Sequence, residues 1–428
     1  MRAAIQRVPS LVPHGEVVGA ALLGGGEKLA GPLEIGIPVV DGPTPDQALV
    51  DALARFAPDL VFDLSDEPAV DARSRLRLAS RALLAGVAYQ GADFRLDPPP
   101  RPHVATKPTV AVIGTGKRTG KTAVSAHLAR TLVADGRSPV VVAMGRGGPP
   151  EPELIDPAEF DLSPAGLVTL AATGRHAASD HLEDALMAGV VTIGTRRCGG
   201  GLAGAPVDST FAAGVELANT RPEGLLVLEG SGAAVPPVHA DATVCVVPAT
   251  VDPELVAGYL GAYRLLLADL VVITMAEHDP QAIVEAVRRV VPEVDIARTV
   301  LRPTPLQPVA GRRIFYVTTA PATAGPVLAA HLEAEHGATV VGTSHNLARR
   351  PHLAHDLEHL GAADVLLVEL KAAGVDMAAR VALERGMDVV FCDNRVVTVG
   401  GDGSFEALVL QVATLAEKRF AQVVKVRK

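Results

Sequence analysis

The chain has 428 residues, 48% of them hydrophobic, and a net charge of −9 at pH 7. That length and apolar content suit two or three packed domains and exclude the disordered and fibrous classes. Aromatic residues are only 3% and Trp is absent, so a base-stacking platform is excluded, and the acidic balance argues against a polyanion-binding surface. No nucleic-acid partner is expected, and any basic site must be local.

The first residues carry Arg2 and Arg7 ahead of an apolar Val17–Leu23 stretch, but Pro9, Pro13 and Glu16 interrupt the region between them. No run reaches the roughly 18 apolar residues of a membrane span, so a soluble cytoplasmic protein with no membrane partner is expected. Strands are predicted at Val17–Leu23 and Leu60–Asp63, and helices at Pro45–Phe56 and Ala72–Gly86. These form an N-terminal α/β domain over residues 1–100. The proline-rich segment that begins at Asp97 stiffens the chain, and residues 101–107 are read as its linker.

Residues 108–310 alternate strands with helices. Strands are predicted at Thr109–Ile113, Pro139–Met144, Gly189–Ile193, Leu225–Leu228, Ala242–Val247 and Leu270–Thr274. Asp252-Pro253 and Asp279-Pro280 each read as a helix N-cap followed by an N1 proline. The pattern predicts an α/β fold with a largely parallel, doubly wound sheet. A C-terminal α/β domain over residues 311–428 repeats it, with strands at Arg313–Thr318, Thr339–Thr343, Asp364–Leu370 and Asp388–Cys392. A hairpin is expected at Val396–Gly403 and a final helix at Phe405–Arg419. Cys198, Cys245 and Cys392 are widely spaced, so neither a disulfide framework nor a zinc site is indicated.

The most specific motif is Gly114-Thr115-Gly116-Lys117-Arg118-Thr119-Gly120-Lys121-Thr122, set between a strand and a helix. Glycines let successive N–H groups turn toward phosphate oxygens, and the new helix adds its positive end. Lys121 reaches the β- and γ-phosphates and the Thr122 hydroxyl ligates Mg²⁺. This is an ATP cradle. The apolar strand ending Leu228-Glu229-Gly230-Ser231-Gly232 supplies an acid for the same metal. The loop Met144–Glu153 should also face the γ-phosphate, with Arg146 meeting anionic oxygens and Glu151 or Glu153 completing the metal shell.

Further polar clusters offer cations for a small anionic, phosphorylated substrate. They are Arg175 and His176, Arg196 and Arg197 in the run Thr195–Gly201, and Arg349, Arg350 and Lys371 after predicted strand tips in the third block. Asp180, Glu183 and Asp184 read as helix N-terminal charges.

The cradle is longer than the common form, because Thr115 stands where a glycine five residues before the GKT glycine is usual. In this, and in the EGxG strand tip, it resembles dethiobiotin synthetase. GTGKRTGKT, MGRGGPPEPE, GRHAASDHLEDAL, GTRRCGGG, LEGSG, SHNLARR and ELKAAGVD together resemble, in the same order, the cyclic 2,3-diphosphoglycerate synthetases of methanogenic archaea. The N-terminal GGGEKL, DLSDEP and YQGADFR look like that family's leading domain. The resemblance implies an ATP- and Mg²⁺-dependent ligase that joins the two phosphates of 2,3-diphosphoglycerate, and it implies a homodimer. A 2-phosphoglycerate kinase uses the same parts without closing a ring. A nucleotide-switched regulator or metallochaperone is the alternative from another class, but those carry a lysine four residues before the GKT glycine, where Gly116 stands here.

Overall fold

The structure is a computed structural model, and it describes residues 7–8, 15–24, 35–172, 180–370 and 374–427. Its centre is one 13-stranded sheet. From one edge the order is Asp208–Ser209, Thr192–Cys198, Pro139–Gly145, Leu225–Glu229, Thr109–Gly114, Ala242–Pro248, Leu270–Thr274, Asp295–Pro305, Asp388–Gly401, Val365–Glu369, Arg313–Val317 and Thr339–Ser344. Glu153–Ile155 pairs antiparallel with Thr192–Cys198. The central strands are continuous runs of β-branched and aliphatic residues because helices cover both faces; every residue of Thr109–Gly114 and Leu225–Glu229 is buried.

The long strand Asp295–Pro305, absent from the sequence reading, joins the nucleotide half to the C-terminal block. It runs parallel to Leu270–Thr274 and antiparallel to Asp388–Gly401, from Ala297 opposite Gly401 to Pro305 opposite Cys392. Val396–Gly403 is therefore not a hairpin: Val396–Gly401 pairs with Ala297–Leu301 of this strand and completes the ladder. Arg302 and Pro303 inside the missed strand mask its apolar alternation, which is why periodicity did not reveal it. Strands Val365–Glu369, Arg313–Val317 and Thr339–Ser344 run parallel to Asp388–Cys392 and hence opposite to the P-loop strands.

One apolar cluster spans both halves, with Val124 and Leu128 of the helix Lys121–Ala134 packed in the same core as Val317, Leu366, Phe391, Phe405 and Val409. The final helix runs Phe405–Arg427, longer than expected. Asp252 caps the helix Pro253–Ala257 by accepting from the Glu254 N–H at 2.9 Å. Asp279 does not cap its helix, because Gln281–Val290 begins after Pro280 with no side-chain cap.

The N-terminal segment has its own three-stranded sheet, Leu60–Phe62, Ala88–Gln90 and Arg95–Leu96, and its own core of Leu49, Val70, Leu78 and Tyr89. Within Val17–Leu23 only Ala20–Ala21 is strand. The helix Ala72–Leu84 docks this unit onto the nucleotide half, burying Leu83 against Leu260 and Tyr263, with Arg73 paired to Glu254.

Arg130 on the helix after the P-loop meets Asp393 of the long strand at 3.0 Å, and that carboxylate is 1% exposed. Removing one member of a buried pair strands the other charge. Arg130→Leu is expected to cost about 3 kcal/mol in urea unfolding, and Arg130→Leu with Asp393→Leu to recover most of that loss.

Candidate active site

The strand Thr109–Gly114 ends in the loop that turns into the helix Lys121–Ala134. The loop is held from two sides: the Thr115 N–H donates to the Val246 carbonyl at 3.2 Å, and the Thr274 hydroxyl donates to the Thr119 carbonyl at 2.7 Å. Gly120 at φ 87° and Arg118 at φ 59° are both left-handed, a conformation that costs a non-glycine residue energy and turns the intervening N–H groups inward. A Cβ at Gly114 would stand 2.9 Å from the Thr119 hydroxyl and 3.0 Å from the Lys121 side chain, so this position in the lengthened loop tolerates only glycine without displacement. Lys121 is buried, and its ammonium donates to the Gly116 carbonyl at 2.9 Å. Lys117 and Arg118 are exposed.

Next to this loop, the Thr122 hydroxyl donates to Glu229 Oε1 at 3.0 Å. Glu229 is 3% exposed at the tip of Leu225–Glu229. The carboxyl that joins it is Asp184, fully buried on the helix Asp180–Ala188. Burial and the neighbouring Glu229 charge push the Asp184 pKa well up, and burial raises Glu229 as well, so the bare pair is costly to ionise where it stands. Among the described residues no donor reaches either Asp184 oxygen or Glu229 Oε2, so the two carboxyls have only each other. Two orphaned carboxylates beside a P-loop hydroxyl are a hard oxygen donor set, and they fit Mg²⁺.

Glu151, expected in that set, is instead exposed in the loop before Glu153–Ile155, and Glu153 lies 3.3 Å from His181 Nε2. Asp184, which in sequence reads as a helix N-terminal charge, is instead half of this carboxyl pair. The signal available was spacing: Asp180 and Asp184 stand one turn apart on one helix face, and Asp180 also contributes to the field on Glu229.

Arg196 and Arg197 lie on a strand, not in a loop after one, because Thr192–Cys198 starts later than predicted and is extended by pairing with Asp208–Ser209. The register puts them on opposite faces. Arg197 is buried; it donates to the Ser231 carbonyl at 2.9 Å and to the Gly199 carbonyl, while its Nε has no partner. Its pKa is lowered by burial and by the nearby Arg146, so two guanidinium groups share one field. Arg196 is exposed and donates from Nε to the Gly148 carbonyl at 2.7 Å, pinning the Met144–Glu153 loop. Gly148 is required there, since a Cβ would come within 2.0 Å of the Thr195 carbonyl. A Cβ at Gly232 would meet Lys117 and Arg197, which shows how closely the P-loop, the Glu229 strand tip and the arginine strand converge.

In the C-terminal block Arg349 is exposed ahead of the helix Arg350–Glu358, and Arg350 makes a bidentate pair with Asp376 at 2.9 and 3.1 Å. Glu369 is buried and engaged by Thr318, Thr319 and Asn394. Arg175, His176 and Lys371 lie outside the described residues. Cys245 and Cys392 are buried core residues, the Cys245 thiol pushed up to about 12. Among the described residues no helix is long and apolar enough to cross a membrane.

Three family models of cyclic 2,3-diphosphoglycerate synthetase match in order: the N-terminal domain over residues 1–97, the P-loop domain over 109–300 and the C-terminal domain over 305–395. A cyclic 2,3-diphosphoglycerate synthetase of Rubrobacter xylanophilus is 48% identical over 90% of this chain and 89% of its own length. Those of Thermococcus gammatolerans and Methanothermus fervidus are 49% and 42% identical, covering 92% and 94% of this chain and 91% and 92% of their own lengths. The chain belongs to the cyclic 2,3-diphosphoglycerate synthetase family. It is thus a nucleotide-binding P-loop protein of a synthetase family whose namesake product is a small phosphorylated compound.

Two outcomes test the site. Lys121→Ala should abolish ATP turnover while circular dichroism and melting stay close to wild type, because the ammonium acts on transferred charge. The second concerns pH. Since Asp184 has a raised folded pKa, its contribution to stability is fully present below the ordinary value of 3.8 and is lost as pH rises through the folded pKa. Asp184→Asn should therefore melt higher than ligand-free wild type at alkaline pH and lose that advantage in acid, while its turnover falls. Parallel melting curves at all pH values would remove Asp184 from the pair.

Proposed function

We propose that this chain uses ATP and Mg²⁺ to join the two phosphates of 2,3-diphosphoglycerate into an intramolecular anhydride, releasing ADP and phosphate. What carries this reading is the pairing of unsatisfied groups of opposite sign: the orphaned Asp184 and Glu229 oxygens beside Thr122, and the unpartnered Arg197 Nε across the Ser231–Gly232 turn. Family membership along the whole chain supports the substrate.

The substrate carries roughly four to five negative charges and needs several cations inside an acidic protein. Backbone N–H groups of Gly114–Thr122 cradle the nucleotide phosphates, and Lys121 and Arg146 take up charge on the transferred phosphoryl group. Thr122, Glu229 and Asp184 would hold Mg²⁺, which when bound neutralises and orients phosphate oxygens. A substrate phosphate oxygen attacks the γ-phosphorus in line and ADP leaves. The second substrate phosphate then attacks the substrate phosphorus of that new anhydride, closing the ring and expelling the former γ-phosphoryl group as inorganic phosphate. Both reacting groups belong to one molecule, so the second step gains from high effective molarity.

In this reading Arg197 grips the substrate phosphate that does not receive the γ-phosphoryl group, while Arg196, kept in the substrate set from its motif, lies on the opposite face and holds the Gly148 loop. Because the C-terminal strands run opposite to the P-loop strands, their carboxyl ends open toward the same ribbon from the other side, which brings Arg349 into consideration as a further cation. Arg350 is the weaker candidate, being committed to Asp376. Arg175, His176 and Lys371 remain part of the proposal from their motifs. We also infer a cytoplasmic homodimer, which size-exclusion chromatography with light scattering would check for assembly.

The test is ³¹P NMR of purified protein with ATP, Mg²⁺ and 2,3-diphosphoglycerate. A pair of anhydride resonances is the expected product; monoester signals alone would mark a kinase, and no consumption would overturn the reading. Arg196→Ala with Arg197→Ala should leave nucleotide affinity nearly intact by calorimetry while cyclisation loses about 2 to 4 kcal/mol of transition-state stabilisation.

A further inference from the structure

The helix Arg350–Glu358 buries Leu353 and Leu357 and turns His355, Glu358 and His359 to solvent at its end. One ligand atom from each of these three lies within 4.8 Å of the others. The two imidazole rings are one turn apart with centroids separated by 5.0 Å, and His355 Nδ1 is 3.8 Å from Glu358 Oε2.

His359 Nδ1 lies 3.0 Å from the His355 carbonyl. A carbonyl can only accept, so Nδ1 carries the hydrogen and Nε2 presents its lone pair outward. A backbone carbonyl in this position fixes the tautomer and raises the basicity of a metal-ligating histidine. The neighbouring Asp356 is not available as a ligand, since it accepts from the Ser344 hydroxyl at 2.6 Å and the Asn346 amide at 2.8 Å. Those two bonds and the buried leucines anchor the helix end from behind, so the three outward groups share a firm base.

We propose that His355, Glu358 and His359 form a surface site for a borderline divalent transition metal such as Zn²⁺, Co²⁺ or Ni²⁺. Two imidazoles and one carboxylate favour these ions over Mg²⁺ and Ca²⁺, which prefer all-oxygen shells. Water completes the coordination. The site is separate from the carboxylates at Thr122, and a metal held there clamps the last turn of a helix that begins at Arg350.

The test is a Co²⁺ titration of the full chain in excess Mg²⁺, which occupies the oxygen-rich site, with ligand-field absorption and calorimetry as readouts. Wild type should take up one Co²⁺ with an absorption band, and Zn²⁺ should displace it. His355→Ala and His359→Ala, both at exposed positions, should each weaken that binding at least about tenfold, the least that losing even a residue that only supports a ligand costs, while His352→Ala leaves it unchanged. Turnover with Mg²⁺ should be the same in all of them, which keeps this outcome independent of the ligase reading. A wild type without the band, or one matched by the His355→Ala/His359→Ala double variant, would overturn the site.

Discussion

The antiparallel ladder between Asp295–Pro305 and Asp388–Gly401 is the constraint on which the rest of the molecule depends. A parallel join would have continued the P-loop sheet in one direction and left every strand tip on one edge. The antiparallel join reverses the C-terminal block, so carboxyl ends from two βα arrays face a common ribbon. Open α/β sheets bind ligands beyond the carboxyl ends of their strands, and here that region has walls from both halves. Leu301, from the ribbon itself, sits 3.4 Å from where a Gly120 Cβ would be, so the ribbon also backs the nucleotide loop.

Electrostatics then divide the region. On one side Asp184 and Glu229 are buried side by side, and burial raises the pKa of both carboxyls. On the other, Arg197 is buried among carbonyls that satisfy only part of its guanidinium. Each group alone is an expensive thing to bury. A metal-bound polyphosphate carries both complementary charges at once. The N-terminal unit stands apart from this division, resting on the helices that follow the strand Ala242–Pro248 through Leu83, Leu260 and Tyr263.

Much of the frame was legible because buried parallel strands are unbroken apolar runs and the P-loop is a local motif. Thr109–Gly114, Leu225–Glu229 and the helix Lys121–Ala134 needed only neighbours in sequence. What escaped reading depends on distant pairing. Asp295–Pro305 carries two prolines and two arginines and becomes a strand because Asp388–Gly401 lies beside it. Arg196 and Arg197 belong to a strand because Asp208–Ser209 folds back on them. Asp184 looked like a helix charge and becomes half of a carboxylate pair only once its helix packs against the tip of another strand.

The last helix has a temporal consequence. His127 meets Glu406 at 3.0 Å, Arg137 meets Glu417 at 2.8 Å, and Arg419 reaches both Asp269 and the carbonyl of Asp241, whose carboxylate receives the foot of the P-loop strand at Thr109. A helix made after every strand of the central sheet is thus the one that seals the P-loop strand. Domains usually mature in the order they are made. Here the nucleotide half emerges long before its covering helix, and it must wait, with apolar strand faces exposed, until that helix is made.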